Sequence, residues 1–185
     1  VMFPDTSGVL DAPLTSKYQM YPDGGATIAE IRDSGNSEVT LALGAFASNA
    51  AADLLQEKCG VTGIPLKLPI GLAATDDFIM ALKDWFGVEI PKEIAIERGQ
   101  VIDTLIDTHF HYQGKTVAIF GDPDHVIAMT EFAITMGMVP KYVLTGTPGK
   151  EFEATVTKML GDAGITGSKV KAEGDLFELH EWIRE

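Results

Sequence analysis

ERGQVIDTLIDTHFHYQGKTVAIFGDPD, residues 97–124, is the stretch on which the predicted fold depends. Its first half places Ile102, Leu105 and Ile106 at helical spacing, so we predict an amphipathic helix that ends at Gly114. The following run, TVAIF, shows no alternation of polar and apolar residues, which is typical of a strand covered on both faces of a parallel sheet. The polar segment GDPD then opens a second helix. The stretch as a whole therefore predicts a helix, a buried strand and a further helix in succession.

Strands and helices alternate on both sides of this stretch. We predict strands at 39–43, 66–69, 116–120, 142–145 and 169–172, and helices at 27–33, 48–58, 75–86, 91–112, 123–136, 150–163 and from 176. Alternation with short connections indicates an α/β fold with Rossmann-like parallel sheets and helices on both faces. We expect the long helix at 91–112 to join two α/β units: residues 1–112, incomplete at the N-terminal side, and residues 113–185, incomplete at the C-terminal side.

Several helix starts carry capping signals. Thr27 and Glu30 have the spacing of a capping box. We predict Ser48 and Thr75 as further N-caps, with Ala51, Leu54 and Leu55 on the inward face of the helix at 48–58.

Val1–Phe3 has the pattern of a strand end and the sequence lacks an initiator Met, so we expect an excised piece of a longer polypeptide.

Composition excludes several classes of function. The 185 residues carry a net charge of −13, which argues against nonspecific binding to nucleic acid or to an anionic membrane surface. Cys59 is the single cysteine, so these residues by themselves can form neither an internal disulfide nor a cysteine-ligated cluster site. No apolar run approaches the roughly 20 residues of a membrane span, and we expect a cytoplasmic location.

The loops after two predicted strands are candidate phosphate sites by position. Gly121–Asp124 opens a helix, but it lacks the glycine fingerprint and places two carboxylates where an anion would lie. The alternative, in which Asp122 or Asp124 caps the helix, is favoured. Thr145–Gly149 lacks the Walker lysine–hydroxyl pair, because Glu151 follows Lys150, and an ordinary turn is the better interpretation.

An acidic stripe on the long helix is the candidate metal site. Asp103, Asp107 and His111 recur every four residues and share a face. Two carboxylates one turn apart can bind a hard cation, although a complete coordination sphere needs further ligands. The alternatives are a solvated acidic face, or Asp107 as a partner for an Arg or Lys side chain.

The remaining titratable and nucleophilic residues carry weaker signals. His109, His111 and His125 are possible general bases. His180 lies in an acidic helix and is expected at the surface, and Ser48 and Ser168 lack the sequence context of an activated nucleophile. We predict no catalytic and no cofactor-binding residue in this sequence.

Taken in order, several motifs resemble those of one family. The segments are FPDTSGVLDAP, KYQMYPDGGAT, VTLALGAFASNAAADLL, LPIGLAATDDFIMAL, ERGQVIDTLIDTH, GKTVAIFGDPDHVIAMTEFAITMGMVPKYVLTGTPG and KAEGDLFELHEWI. Together they cover nearly the whole sequence, and the pairing of ERG-x3-D-x3-D-x-H with GK-x-VAIFGDPD is the specific part. The sequence resembles the middle and part of the C-terminal domain of the β chains of molybdenum–iron nitrogenase.

The resemblance implies a place in a larger enzyme. The family's β chain pairs with a homologous α chain, two pairs form a tetramer, and an ATP-dependent iron protein supplies electrons for reducing dinitrogen to ammonia. An eight-iron P-cluster lies between α and β, and the iron–molybdenum cofactor lies in the α subunit. Cys59 matches none of the cluster ligands, so the fragment is expected to bind no cluster and to be inactive. Asp103 and Asp107 match two aspartates that help to hold a cation between β chains in the full assembly.

Two related families are alternatives. One is the β-like chain of the cofactor-assembly scaffold, a non-enzymatic protein of which the DTHF segment is reminiscent. The other is the dark-operative protochlorophyllide reductase, whose landmarks fit less well. GDPD after the strand and the LTGTPG loop favour the nitrogenase β chain. A helical interaction module without chemistry of its own is the hypothesis that uses no resemblance.

Overall fold

A computed structural model describes residues 13, 17–20 and 23–185. The strands are β1 (Val39–Leu43), β2 (Thr62–Leu66), β3 (Thr116–Gly121), β4 (Val139–Thr145) and β5 (Lys169–Lys171). The helices are α1 (Ile28–Asp33), α2 (Ala45–Cys59), α3 (Leu72–Phe86), α4 (Lys92–Tyr112), α5 (Pro123–Thr135), α6 (Lys150–Asp162) and α7 (Leu176–Arg184). The predicted strand end at Val1–Phe3 lies outside the described residues.

The polypeptide forms two compact units. The first takes in the described residues up to Ala42 together with Asn49–Ile64, and the second comprises Leu43–Ser48 and Pro65–Glu185. In the first unit the capping box at the start of α1 is present as predicted: Thr27 Oγ1 accepts from the Glu30 N–H, and the Glu30 side chain accepts from the Thr27 N–H. The predicted division of the protein at residue 112 stays a prediction.

A parallel sheet organises the second unit. Its strand order is β3-β4-β5, and all three strands are parallel. Ile119, Val143 and Val170 are register partners across the three strands, and they pack with the buried side chains of α5 and α6. Phe152 and Val156 of α6 are fully buried in this cluster. The predicted α/β class with a parallel sheet and flanking helices is confirmed.

Two predicted helix starts were wrong. Helix α2 begins at Ala45, three residues before Ser48, whose hydroxyl donates to the Leu43 carbonyl instead of capping the helix. Helix α3 begins at Leu72, and the Thr75 hydroxyl donates to backbone carbonyls at the start of the helix. In both cases the side-chain hydroxyl donates a hydrogen bond to the backbone carbonyl of a residue earlier in the sequence, which is a local alternative to N-capping.

The prediction of which face of α2 is buried was also wrong. Ala51 and Leu54 are exposed, whereas Ala52 is buried and Leu55 is half-buried. Alanine contributes little to a hydrophobic pattern, so a helix that begins AFASNAAA has a weakly defined apolar stripe.

Two strand predictions need correction. The strand predicted at 66–69 is β2 at Thr62–Leu66, because the apolar residues beyond it belong to the connection before α3. Within residues 13, 17–20 and 23–185, strand β3 is not covered on both faces: its residues alternate between exposed and half-buried, and Phe120 is 37% exposed. An apolar run predicts a strand covered on both sides, but whether the second cover is present depends on which elements reach it.

Candidate functional site

The acidic stripe lies on α4, a helix of 21 residues. The structure places Asp103 and Asp107 one turn apart, and both side chains are exposed. His111, one turn further on, is exposed, and its ring lies against Phe110 with 3.8 Å between ring centroids. The three predicted residues therefore share one helix face as expected.

The stripe does not form a complete metal site by itself. Within the part of the protein that the structure describes, no three His, Cys, Asp or Glu side chains are grouped so that they could hold a metal ion. Calcium takes six to eight oxygen ligands and magnesium six, and two carboxylates supply only part of such a set. Cation binding at Asp103 and Asp107 would therefore require oxygen ligands from elsewhere.

The other histidines are separate from one another. His109 is half-buried near the turn after α5, where an ideal Cβ at Gly137 would lie 3.3 Å from its Nε2. His125 is exposed, with its Nδ1 3.8 Å from an oxygen of Asp122. His180 is exposed, as its surface assignment predicted. None of these arrangements joins a histidine to a nucleophile.

Ser168, which the sequence did not mark as an activated nucleophile, and Cys59 have surroundings of a structural kind. The Ser168 hydroxyl donates to the Pro140 carbonyl at 2.7 Å, which ties the start of β5 to β4. Cys59 is exposed at the end of α2. Its Sγ lies so near Gly35 that an ideal Cβ there would be 2.8 Å away.

The loop after β3 is built around two helix caps. Asp122 is the N-cap of α5, and its carboxylate accepts from the Asp124 N–H at 3.2 Å. Pro123 occupies the first turn, where a missing N–H is harmless. The preferred interpretation of this loop, a capping carboxylate and not a phosphate cradle, is confirmed for Asp122.

Asp124 caps a different helix, which the sequence did not reveal. Its carboxylate is buried and accepts from the N–H groups of Phe46, at 3.1 and 3.2 Å, and of Ala47, at 2.9 Å. These donors are the free N–H groups of the first turn of α2, where a negative charge is favoured. The carboxylate also requires Gly44, because an ideal Cβ there would lie 2.6 Å from its carbon.

The loop after β4 satisfies its own polar groups. The buried Thr145 hydroxyl donates to the Gly121 carbonyl at 2.9 Å and accepts from the Thr147 N–H at 3.2 Å. The loop after β5 is hydrogen-bonded to the end of β4, since the Gly174 N–H donates to the Thr145 carbonyl. The structure thus agrees with the interpretation of this loop as an ordinary turn.

A cleft of about 680 Å³ lies between α3, α4 and Phe132 of α5. Its walls are mainly apolar, with Ile79, Ile94 and Val101 among the lining residues. The sequence pattern did not predict this cleft. Apolar periodicity shows that two helices have apolar faces, but not that a gap remains between them.

An ion pair lies at this cleft. Arg98 binds Asp76 through two hydrogen bonds, Nε to Oδ1 and Nη2 to Oδ2, each 2.8 Å. These hydrogen bonds lower the pKa of the Asp76 carboxyl from its ordinary value and raise the pKa of the Arg98 guanidinium. Both side chains remain partly exposed, so solvent screens the attraction. The pair therefore joins α3 to α4 and is not an isolated reactive group.

None of the helices in the described part of the protein has both the length and the hydropathy to cross a bilayer.

Comparison with known proteins gives a consistent result. The model of the family described as nitrogenase component 1 type oxidoreductase matches residues 5–185. The nitrogenase molybdenum-iron protein beta chain of Clostridium pasteurianum is 54% identical over 184 residues, which is 100% of the present sequence and 40% of that protein. The protein of the same name from Methanococcus maripaludis is 35% identical, with the match spanning 86% of the present sequence and 35% of the relative.

A solved structure agrees with these sequence relatives. The structure titled "Nitrogenase Cp1 at pH 6.5" is 53% identical and superimposes with a TM-score of 0.89. The match includes 97% of the present residues and 39% of the solved polypeptide. The present sequence therefore spans about 35–40% of the length of these relatives.

Proposed function

The chain belongs to the nitrogenase component 1 type oxidoreductase family, and we propose that it is part of the β subunit of a molybdenum–iron nitrogenase component. The complete assembly would reduce dinitrogen to ammonia with electrons from an ATP-dependent iron protein. The observation that carries this proposal is the 54% identity to one such β chain over 100% of the present sequence. The relatives' names do not favour the assembly scaffold or the protochlorophyllide reductase.

In this proposal the present segment supports the redox centres without binding them. Its one cysteine, Cys59, is exposed at a helix end, and one thiolate is too few to hold an iron–sulfur cluster. The eight-iron P-cluster would lie at the interface of α and β, and the iron–molybdenum cofactor would lie in the α subunit. Residues 1–185 alone would accordingly be inactive. Their contribution is an α/β framework, divided near residue 112 between two domains of the longer subunit.

The proposed partners follow from the same assignment. They are the α chain, a second β chain and the iron protein, with the iron protein docking mainly outside this segment. The net charge of −13 argues against nucleic acid and anionic membrane as partners. The compartment proposed for the assembly is the cytoplasm.

Asp103 and Asp107 are the proposed contribution of this segment to a cation between two β chains. Support comes from their exposure and their one-turn spacing on α4, which leave both carboxylates accessible to another subunit. The remaining oxygen ligands would come from the second β chain. Because two carboxylates alone do not offset the dehydration of a divalent ion, the site would be weak or empty without that subunit.

A segment exchange tests the assignment. Residues 1–185 would replace the matching 40% of the Clostridium pasteurianum β chain, and the chimeric subunit would be produced with its α partner and assayed with the iron protein. We expect an assembled complex with unchanged iron content that reduces dinitrogen to ammonia. A chimera that assembles with its full iron content but reduces no dinitrogen would contradict the proposal. The matched control is isolated 1–185, which should show neither iron absorbance nor activity.

A further inference from the structure

The Asp124 carboxylate does not serve the helix on which it lies. Helix α5 is already capped by Asp122, whose carboxylate accepts from the Asp124 N–H. The Asp124 carboxylate instead accepts from the N–H groups of Phe46 and Ala47, which lie 78 and 77 positions earlier in the sequence. It is therefore a separate negative group that is directed at the first turn of α2.

Backbone groups, and not a cationic side chain, compensate this charge within the described part of the protein. Asp124 is 6% exposed, and none of the ion pairs among the described residues includes it. A carboxylate that is removed from water needs hydrogen bonds or an opposite charge. The positive end of α2, a helix of 15 residues, supplies both. The start of α2 thus binds Asp124 as helix starts bind free anions.

The backbone beside the two donors is shaped around the carboxylate. Gly44 has a φ of +85°, a conformation that favours glycine. An ideal Cβ at Gly44 would lie 2.6 Å from both the carboxyl carbon and Oδ2 of Asp124. A side chain at position 44 would therefore take the place of the carboxylate. The missing side chain leaves a space of carboxylate size next to the Phe46 and Ala47 N–H groups.

This space lies at the carboxyl ends of β3 and β4. Asp124 is in the first turn of α5, which follows β3 directly. Phe46 packs against the buried cluster, and one of its ring carbons is 3.4 Å from an ideal Cβ at Gly149, the residue before α6. Rossmann-like folds bind phosphate-containing ligands at this edge of the sheet. Here the Phe46 ring and the Asp124 carboxylate take up that position.

We propose that the first turn of α2 is a carboxylate-binding site whose ligand is the side chain of Asp124 from the same polypeptide. The internal carboxylate keeps this edge of the sheet closed to external anions such as phosphate. When the side chain is shortened, the N–H groups of Phe46 and Ala47 should donate to a free carboxylic acid anion of the missing size. The inference does not depend on the reaction that the assembly catalyses.

Replacement of the side chain by a free anion tests the site in the full-length assembled protein. Asp124→Gly removes a methylene and a carboxylate, which acetate restores, whereas Asp124→Ala keeps one carbon and leaves room for formate only. Hydrogen exchange of the peptide covering 44–50, measured by mass spectrometry, reports whether the first turn of α2 is occupied. With a dissociation constant on the order of 10 mM, about 100 mM of the matching anion should slow exchange of this peptide about tenfold.

The size of the anion discriminates binding at this site from general effects of salt. We expect acetate to slow exchange in Asp124→Gly but not in Asp124→Ala, and formate to slow it in both. Sodium chloride at the same ionic strength and acetamide, the uncharged analogue of acetate, should have no effect. No effect of either anion on the Asp124 variants would overturn the proposal. An equal effect of acetate on the wild type, Asp122→Gly and Asp124→Gly would overturn it as well.

The wild type offers a second measurement that does not require the variants to fold. In the unmodified full-length protein, the peptide covering 44–50 should exchange at the same rate with and without about 100 mM phosphate, because the internal carboxylate already occupies the donors. A several-fold slowing of exchange by phosphate would show that this edge of the sheet takes up an external anion. That result would refute the proposal whatever the behaviour of the Asp124 variants.

Discussion

Replacing Asp124 by alanine should destabilise the second unit more than any other single change in the loop after β3. Asp124 is 6% exposed and caps the first turn of α2 through the N–H groups of Phe46 and Ala47. The substitution removes the only carboxylate that reaches these donors among the described residues. It leaves two N–H groups in a partly buried site that the alanine methyl group does not fill.

The magnitude follows from those two contacts. A hydrogen bond to a charged acceptor contributes about 1.5–3 kcal/mol, and the two bonds share one carboxylate, so they do not add fully. We expect Asp124→Ala to lower the free energy of unfolding by about 3–5 kcal/mol. The matched control is Asp122→Ala in the same loop, which removes one exposed N-cap bond and should lower it by about 1 kcal/mol.

Urea unfolding followed by far-ultraviolet circular dichroism measures the difference. With a slope of about 3 kcal/mol per molar urea, the two variants should differ in midpoint by about 1 M. The Asp124→Asn variant should fall between the wild type and Asp124→Ala, because the amide keeps one acceptor oxygen but loses the charge. Equal midpoints for Asp124→Ala and Asp122→Ala would contradict a stabilising role of the buried Asp124 carboxylate at the start of α2.

Three further predictions concern neighbouring features. Gly44→Ala should lower the free energy of unfolding by about 2 kcal/mol or more, measured by the same urea titration, because its φ of +85° is left-handed and its Cβ would displace the carboxylate that caps α2. Asp76→Asn should lower the melting temperature at pH values above 3.8, the ordinary pKa of Asp76, because the charged carboxylate that Arg98 stabilises is lost. The pKa of Asp76 in the folded protein is lower than 3.8, so the difference in melting temperature between variant and wild type should disappear as the pH falls through that folded pKa. Asp103→Asn combined with Asp107→Asn should leave the free energy of unfolding of the isolated 185-residue protein within about 0.5 kcal/mol of wild type. In the full assembly the same double substitution should weaken the association of β chains and lower the amount of bound metal. Unchanged sedimentation and metal content of that assembly would exclude the cation role.

Much of the second unit could be predicted from local patterns. The strand at 116–120 and the helix at 91–112 agree with β3 and α4 to within one residue at each end. The capping role of Asp122 was also foreseen, because an N-cap acts on the residues that follow it directly. These features depend on hydrogen bonds and periodicities within a few residues, which a single sequence displays.

The candidate site was predictable only in part. The stripe of Asp103 and Asp107 follows from helical spacing, so its shared face could be inferred directly. The pairing of Asp76 with Arg98 could not, because the two residues are 22 positions apart and meet only when α3 packs on α4. Sequence spacing also could not show that a cleft remains between those helices.

The alternation of strands and helices, the charge, and the family to which the motifs point can all be inferred from the amino-acid sequence alone. The start of α2 depends on tertiary contacts, since its first turn is capped by Asp124 from 77 positions away. The folded structure also shows that, in the described part of the protein, β3 exposes one face and one edge, because cover depends on the helix that reaches a strand and not on the strand's own residues. Short-range preferences are encoded locally in the sequence, whereas long-range contacts exist only once the polypeptide has folded.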